Sequence, residues 1–309
     1  MKTFRLYLGN DCNMNCSYCY ELHSKNKDMN FDILNKIIEY CNNKEENISI
    51  IFFGGEPTLY MDKIEYVIQN IYNKQVFYSI FTNGTHMKEL VELENKYNIH
   101  ITKILSNKTP TDVYDYEDYE IDRYNLILTP DTLKYIDDEY IKYIQNAKHI
   151  QHLLITFVIE ANWKELDREY IINRINSLNN IYLLNKWKIS FLYLNTYIRD
   201  DKYVNCCVLD TLNVSYNGDV LLCNRHCFSD SPTKLGNIGN VLNDEIDVLF
   251  DKRNKIANQL NNTQDCYYFE QLNIDRSYLE NIIQESNLMF KPQNQQLYTF
   301  STRCGSCSG

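Results

Sequence analysis

The run Cys12-Asn-Met-Asn-Cys16-Ser-Tyr18-Cys19-Tyr20 places three thiols within eight residues. Its reading decides how the rest of the chain is understood. A [4Fe–4S] cluster normally takes four protein thiolates. A loop that offers three would leave one iron open to bind and activate a small molecule. The alternative is a structural zinc site. Zinc loops favour C-x2-C pairs separated by a longer gap, with four ligands in all. The x3-then-x2 spacing departs from that pattern.

Working outward, residues 3–8 before the thiols are strand-like. Residues 48–53 (Ile-Ser-Ile-Ile-Phe-Phe) are nearly continuously apolar, as a buried parallel strand should be. They run into Gly54-Gly55-Glu56-Pro57. Glycines at a strand's C-terminal end let a ligand approach the backbone closely, and Glu56 is an acceptor suited to a cationic amine. Alone, those four residues would read as a strand-to-helix turn. A third strand-like run, 76–82, ends in Thr82-Asn83-Gly84. Thr82 and Asn83 can hydrogen-bond hydroxyl groups, although an isolated Asn-Gly is an ordinary turn.

Taken in order, the three motifs resemble the signature of the radical S-adenosylmethionine (SAM) superfamily. The cysteine run is similar to its C-x3-C-x-aromatic-C element, with Tyr18 at the aromatic position. The resemblance implies that Cys12, Cys16 and Cys19 ligate a [4Fe–4S] cluster and that Tyr18 contacts the adenine of SAM. Gly54, Gly55 and Glu56 would grip the methionine amino group, and Thr82 and Asn83 the ribose. Ser106, at the end of the expected fourth strand, would be a polar residue near the cofactor, though the local Ser-Asn-Lys departs from the family's usual pattern. The implied reaction is one-electron cleavage of SAM to a 5′-deoxyadenosyl radical, which abstracts hydrogen from an unactivated carbon.

Strands are expected at 3–8, 48–53, 76–82, 100–105, 125–129 and 152–159. Helices are expected near 30–43, 61–73, 86–97, 131–147 and 163–178. Six βα units in series imply parallel strands, hence an α/β fold with a partial (β/α)6 TIM-like barrel and its ligand at the strand C-terminal ends. This first domain is expected over 1–185. From 186 to 309 the pattern changes. Residues 187–198 alternate like a strand, and Asn217-Gly218 marks a tight hairpin.

Eight further cysteines follow the triad: Cys41, Cys206, Cys207, Cys223, Cys227, Cys266, Cys304 and Cys307. The hairpin flanked by Cys207 and Cys223 resembles the start of the SPASM or twitch extension of peptide-modifying radical enzymes. With Cys304 and Cys307 it would complete a four-thiolate set for an auxiliary [4Fe–4S] cluster in a small C-terminal domain. Structural zinc is the alternative there, since four thiolates also satisfy it. A full SPASM module continues with three more cysteines, so the chain's end after Cys307 favours one auxiliary cluster. Cys206 could replace Cys207, and Cys227 and Cys266 are spares, either for a second cluster or for substrate contact. Cys41, in a helical stretch, reads as a buried apolar thiol.

The composition narrows the alternatives. A net charge of −10 argues against a general nucleic-acid or membrane-surface binder. No stretch of 18 apolar residues and no apolar N-terminal region is present, so a cytoplasmic enzyme is expected. Eleven cysteines there are unlike a disulfide framework.

The substrate implied by the resemblance is a ribosomally made peptide, which would receive a crosslink, a thioether or an altered stereocentre. Maturation of a sulfatase-like protein and small-molecule dehydrogenation are the alternatives within the superfamily. A non-catalytic iron–sulfur electron carrier or sensor is the alternative outside it, but a carrier needs no amine or ribose grip. Expected partners are the peptide or protein substrate and an electron donor such as flavodoxin or ferredoxin. With the barrel starting near residue 3, a leader-peptide-binding element would be a separate protein or absent. No catalytic acid or base is singled out. Asp115, Tyr116, Asp118 and Tyr119 read as a solvated acidic face. His226 could be a ligand, a proton donor or a surface residue.

Overall fold

The computed structural model describes residues 1–16, 19, 27–107, 118–146, 150, 152–158, 161–184, 188–192, 210–223, 236–260, 278 and 281–282. In chain order these contain β1 (Lys2–Tyr7), α1 (Phe31–Asn42), β2 (Ile48–Phe53), α2 (Met61–Asn70), β3 (Val76–Thr82), α3 (Met87–Tyr97) and β4 (Ile101–Asn107). There follow β5 (Arg123–Leu128), α4 (Pro130–Leu133), α5 (Asp138–Asn146), β6 (His152–Phe157), α6 (Arg168–Leu184) and β7 (Lys188–Leu192). The last are β8 (Thr211–Val214), β9 (Asp219–Leu221), β10 (Asn237–Asn240) and α7 (Ile246–Leu260). Two compact units arise: residues 1–104, 204–268 and 309, and residues 105–203 and 269–308.

In the first unit the strand order is β10-β9-β8-β1-β2-β3-β4. β1, β2 and β3 pair in parallel, with Tyr7 opposite Phe53 and Phe52 opposite Ile80. The fold is mixed α/β with a parallel sheet, as expected. One face of the sheet packs on helices. Phe4 of β1 lies 5.4 Å from the Phe250 ring of α7 and 5.6 Å from Tyr40 of α1. Ile33, Leu34, Ile37, Ile38 and Cys41 of α1 are buried, a helical stripe facing that sheet. Fully burying each Ile or Leu contributes roughly 1.5–3 kcal/mol. Asn30 caps α1 by accepting the Asp32 N–H at 3.0 Å.

The other face of the sheet carries residues of the opposite parity. Tyr7, Phe53 and Phe81 make an aromatic row at one level, with ring centroids 5.1 and 5.0 Å apart. The Arg5 guanidinium sits 5.7 Å from the Phe53 ring, and Arg5 is fully buried. Phe53 and Phe81 immediately precede the two motif loops, so this row lies directly beneath them.

β8 pairs in parallel with β1, Arg5 opposite Asn213. Its hairpin partner β9 is antiparallel and turns at Asn217-Gly218 as expected, with Gly218 at φ +86°. Residues from beyond 186 thus continue the sheet that begins at Lys2.

In the second unit β5, β6 and β7 pair in parallel, Leu126 opposite Ile155 and Ile155 opposite Phe191. The helix expected over 131–147 is two helices. α4 ends at Leu133, and the Asp137 side chain starts α5 anew by accepting the Tyr140 N–H at 2.8 Å. The helix expected from 163 begins as a short 3-10 turn, Trp163–Glu165, and the α-helix proper runs from Arg168 to Leu184. β7 falls within the strand expected at 187–198, whose residues from 193 onward are outside the described set.

Candidate active site

The chain leaves β1 at Tyr7 and runs on beside the end of β2. Leu8 N–H donates to the Phe53 carbonyl at 3.0 Å, Gly55 N–H to Gly9 at 3.0 Å, and Glu56 N–H to Asp11 at 2.8 Å. The approach requires glycine. Gly54 has φ +142°, and a Cβ there would lie 2.6 Å from the Gly9 carbonyl oxygen. A Cβ on Gly55 would collide with the Asp11 carbonyl oxygen. The atoms that crowd the two glycines are therefore carbonyls of the segment leading to Cys12. Tyr60, closing the 3-10 turn Pro57–Tyr60, adds a further tie by accepting the Asp11 N–H at 2.9 Å through its hydroxyl. Burial holds the Tyr60 hydroxyl in its protonated form, well above the ordinary tyrosine range.

Glu56 is 1 % exposed. Its Oε1 accepts from the Thr58 N–H at 3.1 Å, the Thr58 hydroxyl at 2.6 Å and the Thr82 hydroxyl at 2.7 Å. Its Oε2 accepts the Asn83 N–H at 2.7 Å. A carboxylate offers about four lone-pair sites over two oxygens. The uneven loading leaves Oε2 room for one more donor, which suits an ammonium. The sequence suggested an amine acceptor and gave no sign of this bracing role.

Thr82 is buried, and its hydroxyl also accepts the Gly84 N–H at 2.9 Å. Asn83 is half-buried and faces outward to the cysteine segment. Its Nδ2 donates to Asn13 Oδ1 at 2.8 Å, and Asn13 Nδ2 donates to the Thr85 hydroxyl at 2.8 Å. Thr85 returns to Asn83 Oδ1 through both its N–H (3.0 Å) and its hydroxyl (2.6 Å). Asn13 lies between Cys12 and Cys16. A continuous hydrogen-bonded path therefore runs from the Gly-Gly-Glu motif through Thr-Asn-Gly into the thiol-bearing loop.

Cys12, Cys16 and Cys19 are each half-buried and carry no disulfide. Met14 N–H donates to Cys12 Sγ at 3.4 Å, and Cys19 N–H to the Cys16 carbonyl at 3.0 Å. Among the described residues no group of three or more His, Cys, Asp or Glu side chains is placed to hold a metal ion. A [4Fe–4S] cluster would take each of the three thiolates on a different iron. Three soft sulfur donors on one partly accessible loop, beside an acceptor with spare capacity, match the donor set of a [4Fe–4S] cluster with SAM.

Tyr18 lies outside the described residues, as do Cys206, Cys207, Cys227, Cys266, Cys304, Cys307 and His226. Cys223 is described, half-buried and two residues past β9. Cys41 is wholly buried, and burial pushes its thiol up to about 12, the inert core thiol expected. Ser106 belongs to the second unit, where its hydroxyl accepts from Asn125 Nδ2 at 3.2 Å. Asn125 Oδ1 in turn accepts from the Thr156 hydroxyl at 2.6 Å, making a polar ladder.

Sequence reasoning passed over Gly9, Asn13, Thr58, Tyr60 and Thr85. Only Gly9 carried a hint, as a glycine directly before the thiol run. The others matter through partners that lie 49 to 72 residues away or through a turn geometry that spacing does not reveal.

A family model described as the radical SAM superfamily matches residues 6–106. Those residues form a radical SAM domain. Such a domain implies a [4Fe–4S] cluster and SAM as cofactors. The matched span opens in β1 and closes at Ser106, so it contains every motif residue of the described site. An uncharacterized protein of Methanocaldococcus jannaschii is 29% identical over 72% of this chain and 85% of its own length. The radical SAM cyclopropyl synthase TigE of Paramaledivibacter caminithermalis is 26% identical over 62% of this chain and 50% of its own. A cysteine-type anaerobic sulfatase-maturating enzyme of Clostridium novyi is 30% identical over 43% of this chain and 45% of its own. The chain thus spans half or less of the two relatives whose activity is named. Among solved structures, anSMEcpe with bound AdoMet and a Kp18Cys peptide superposes with a TM-score of 0.63 at 17% identity, covering 86% of each chain. That likeness shows the partial TIM-barrel fold of radical SAM proteins.

Proposed function

We propose that this chain is a radical SAM enzyme that modifies a ribosomally synthesised peptide. The observation that carries the reading is the hydrogen-bonded path from Glu56 through Asn83 to Asn13. It ties the two motif loops to the thiol loop along one edge. When bound, the cluster and SAM supply a one-electron cleavage that generates a hydrogen-abstracting radical. Cys12, Cys16 and Cys19 would hold the cluster. Glu56 Oε2, framed by Gly54 and Gly55, would accept the methionine ammonium. Thr82 and Asn83 would meet the ribose, and of the two the Asn83 side chain is the more exposed. Tyr18 would lie against the adenine. The aromatic row of Tyr7, Phe53 and Phe81 would keep water from the reacting carbon.

The cysteines beyond residue 186, Cys207, Cys223, Cys304 and Cys307, would hold one auxiliary [4Fe–4S] cluster. Flavodoxin or ferredoxin would deliver the electron. A reducing compartment, the cytoplasm, suits so many thiols. No helix among the described residues is long and apolar enough to cross a membrane.

The peptide assignment is supported by the peptide bound in the anSMEcpe structure, whose fold this chain shares. The Clostridium novyi relative supports a second reading, maturation of a sulfatase-like protein. To separate them, the reconstituted protein is incubated anaerobically with SAM, a reductant and peptides encoded by neighbouring reading frames, or with sulfatase peptides bearing the target Cys or Ser. A mass change in the neighbouring peptide, stoichiometric with 5′-deoxyadenosine, is expected. Modification of sulfatase peptides alone would overturn the first reading in favour of the second.

A further inference from the structure

We propose that Lys63 and Asp28 are positioning residues that fix the far end of the thiol-bearing segment. This inference rests on the cluster reading of Cys12, Cys16 and Cys19. Lys63 stands in the first turn of α2, and its side chain is only 5% exposed. Its ammonium reaches Asp28 Oδ1 at 2.8 Å and Oδ2 at 3.0 Å. It also lies 5.0 Å from the Phe31 ring and 5.8 Å from the Tyr60 ring. A buried ammonium is costly unless paired, so the chain is committed to keeping Asp28 in place. Asp62 lies farther off, at 3.8 Å, with a side chain 66% exposed.

Asp28 belongs to the strand-like return of the segment. It bridges Gly9 in antiparallel fashion, Asn10 N–H donates to the Lys27 carbonyl at 3.1 Å, and Met29 N–H donates to Leu8 at 2.8 Å. Tyr60 and Lys63 are three residues apart, so they share one face of the turn that enters α2. Tyr60 holds the entry to the thiols by accepting the Asp11 N–H, and Lys63 holds the exit by gripping Asp28. Together they form a bracket at the base of the segment. Closing the base shortens the span the thiols must bridge and limits the positions they can take.

Iron retention by the whole, anaerobically reconstituted protein tests the bracket. Release to an excess of chelator is followed by visible absorption for wild type, Lys63→Met, Asp28→Asn, the double variant and Lys63→Arg. Loss of a supporting partner around a metal site typically costs about 10- to 100-fold in affinity. Lys63→Met and Asp28→Asn should each release iron about tenfold faster, the double variant no faster than either, and Lys63→Arg more slowly than Lys63→Met because a guanidinium can still pair with the carboxylate. Lys63→Met removes the buried ammonium and leaves the Asp28 carboxylate at the surface, so it keeps the test sound if Asp28→Asn, which strands that ammonium, misfolds, and far-ultraviolet circular dichroism of the iron-free proteins should be alike. Wild-type release rates in both single variants, or additive effects in the double one, would overturn the bracket while leaving the cluster intact. A wild-type protein that takes up no iron would overturn the cluster reading itself.

Discussion

Glu56 Oε2 accepts the backbone N–H of Asn83 at 2.7 Å, joining the end of β2 to the end of β3. The bond places a buried acidic group and an outward-facing amide side by side at the edge where the thiol loop begins. Its hydrogen-bond partners among the described residues, Thr58, Thr82 and Asn83, all donate to it, so its role requires an acceptor-only side chain.

Glu56→Gln should therefore be destabilising although it is isosteric. One carboxylate oxygen becomes an amide that must face a donor. Leaving a buried donor unsatisfied costs about 1–3 kcal/mol. Urea denaturation of the iron-free protein should show a loss of this size, and SAM binding to the reconstituted protein should weaken as well. An unchanged midpoint would mean that Glu56 is not the brace.

Gly54→Ala should cost more. The new methyl would sit at φ +142° and 2.6 Å from a backbone oxygen, which is not the movable end of a side chain. A loss of about 3 kcal/mol or more is expected. Cluster uptake should fall in parallel, because the Gly9 to Asp11 backbone would be pushed away from β2.

The thiols should differ in reactivity in the iron-free protein. Cys41 is fully buried, with its thiol pushed up to about 12, whereas Cys12, Cys16 and Cys19 are half-buried. Iodoacetamide at about pH 8 should label the three and spare Cys41, since the thiolate is the reactive form. Peptide mapping by mass spectrometry reads the result, and early labelling of Cys41 would contradict the packing of α1 on the sheet.

The acid limb of stability should depend on Asp247. Hydrogen bonds from Lys2, Lys44 and Tyr40 hold its carboxyl well below the usual range. Burial works against the charge on Lys2, but its bonds to Asp247, Tyr40 and Glu46 outweigh that and hold it above the ordinary lysine range. A depressed carboxylate stabilises the fold above its unfolded value, near 4, and loses that contribution as pH falls through its lower folded value. The raised ammonium stabilises at and below the ordinary lysine range and is lost only in strong base. Asp247 is half exposed, so screening limits its contribution to about 0.5–1 kcal/mol. Asp247→Asn should lower stability at neutral pH by that amount and flatten the decline below about pH 4, measured as urea midpoints against pH.

Much of the site's position was legible in the sequence, because it hangs on two strands with unambiguous patterns. Residues 48–53 and 76–82 are apolar runs stopped by glycine or Asn-Gly, and both strands have those bounds. The break between α4 and α5 was missed because the apolar pattern continues through it. The Asp137 cap that restarts the helix is visible only with its partner in place. The pairing of β8 with β1 joins residues about two hundred positions apart, and no local pattern encodes it. The same limit hid the Glu56 brace. The motif showed an acceptor, but only the register of β1, β2 and β3 shows that Thr82 and Asn83 stand beside it.

The most direct test of the central claim is production of 5′-deoxyadenosine by anaerobically reconstituted protein given SAM and dithionite, quantified by liquid chromatography. The account predicts multiple turnovers by wild type and none by a variant with Cys12, Cys16 and Cys19 all changed to alanine. Wild-type protein replete in iron and sulfide that forms no 5′-deoxyadenosine would contradict it, as would equal production by the triple variant.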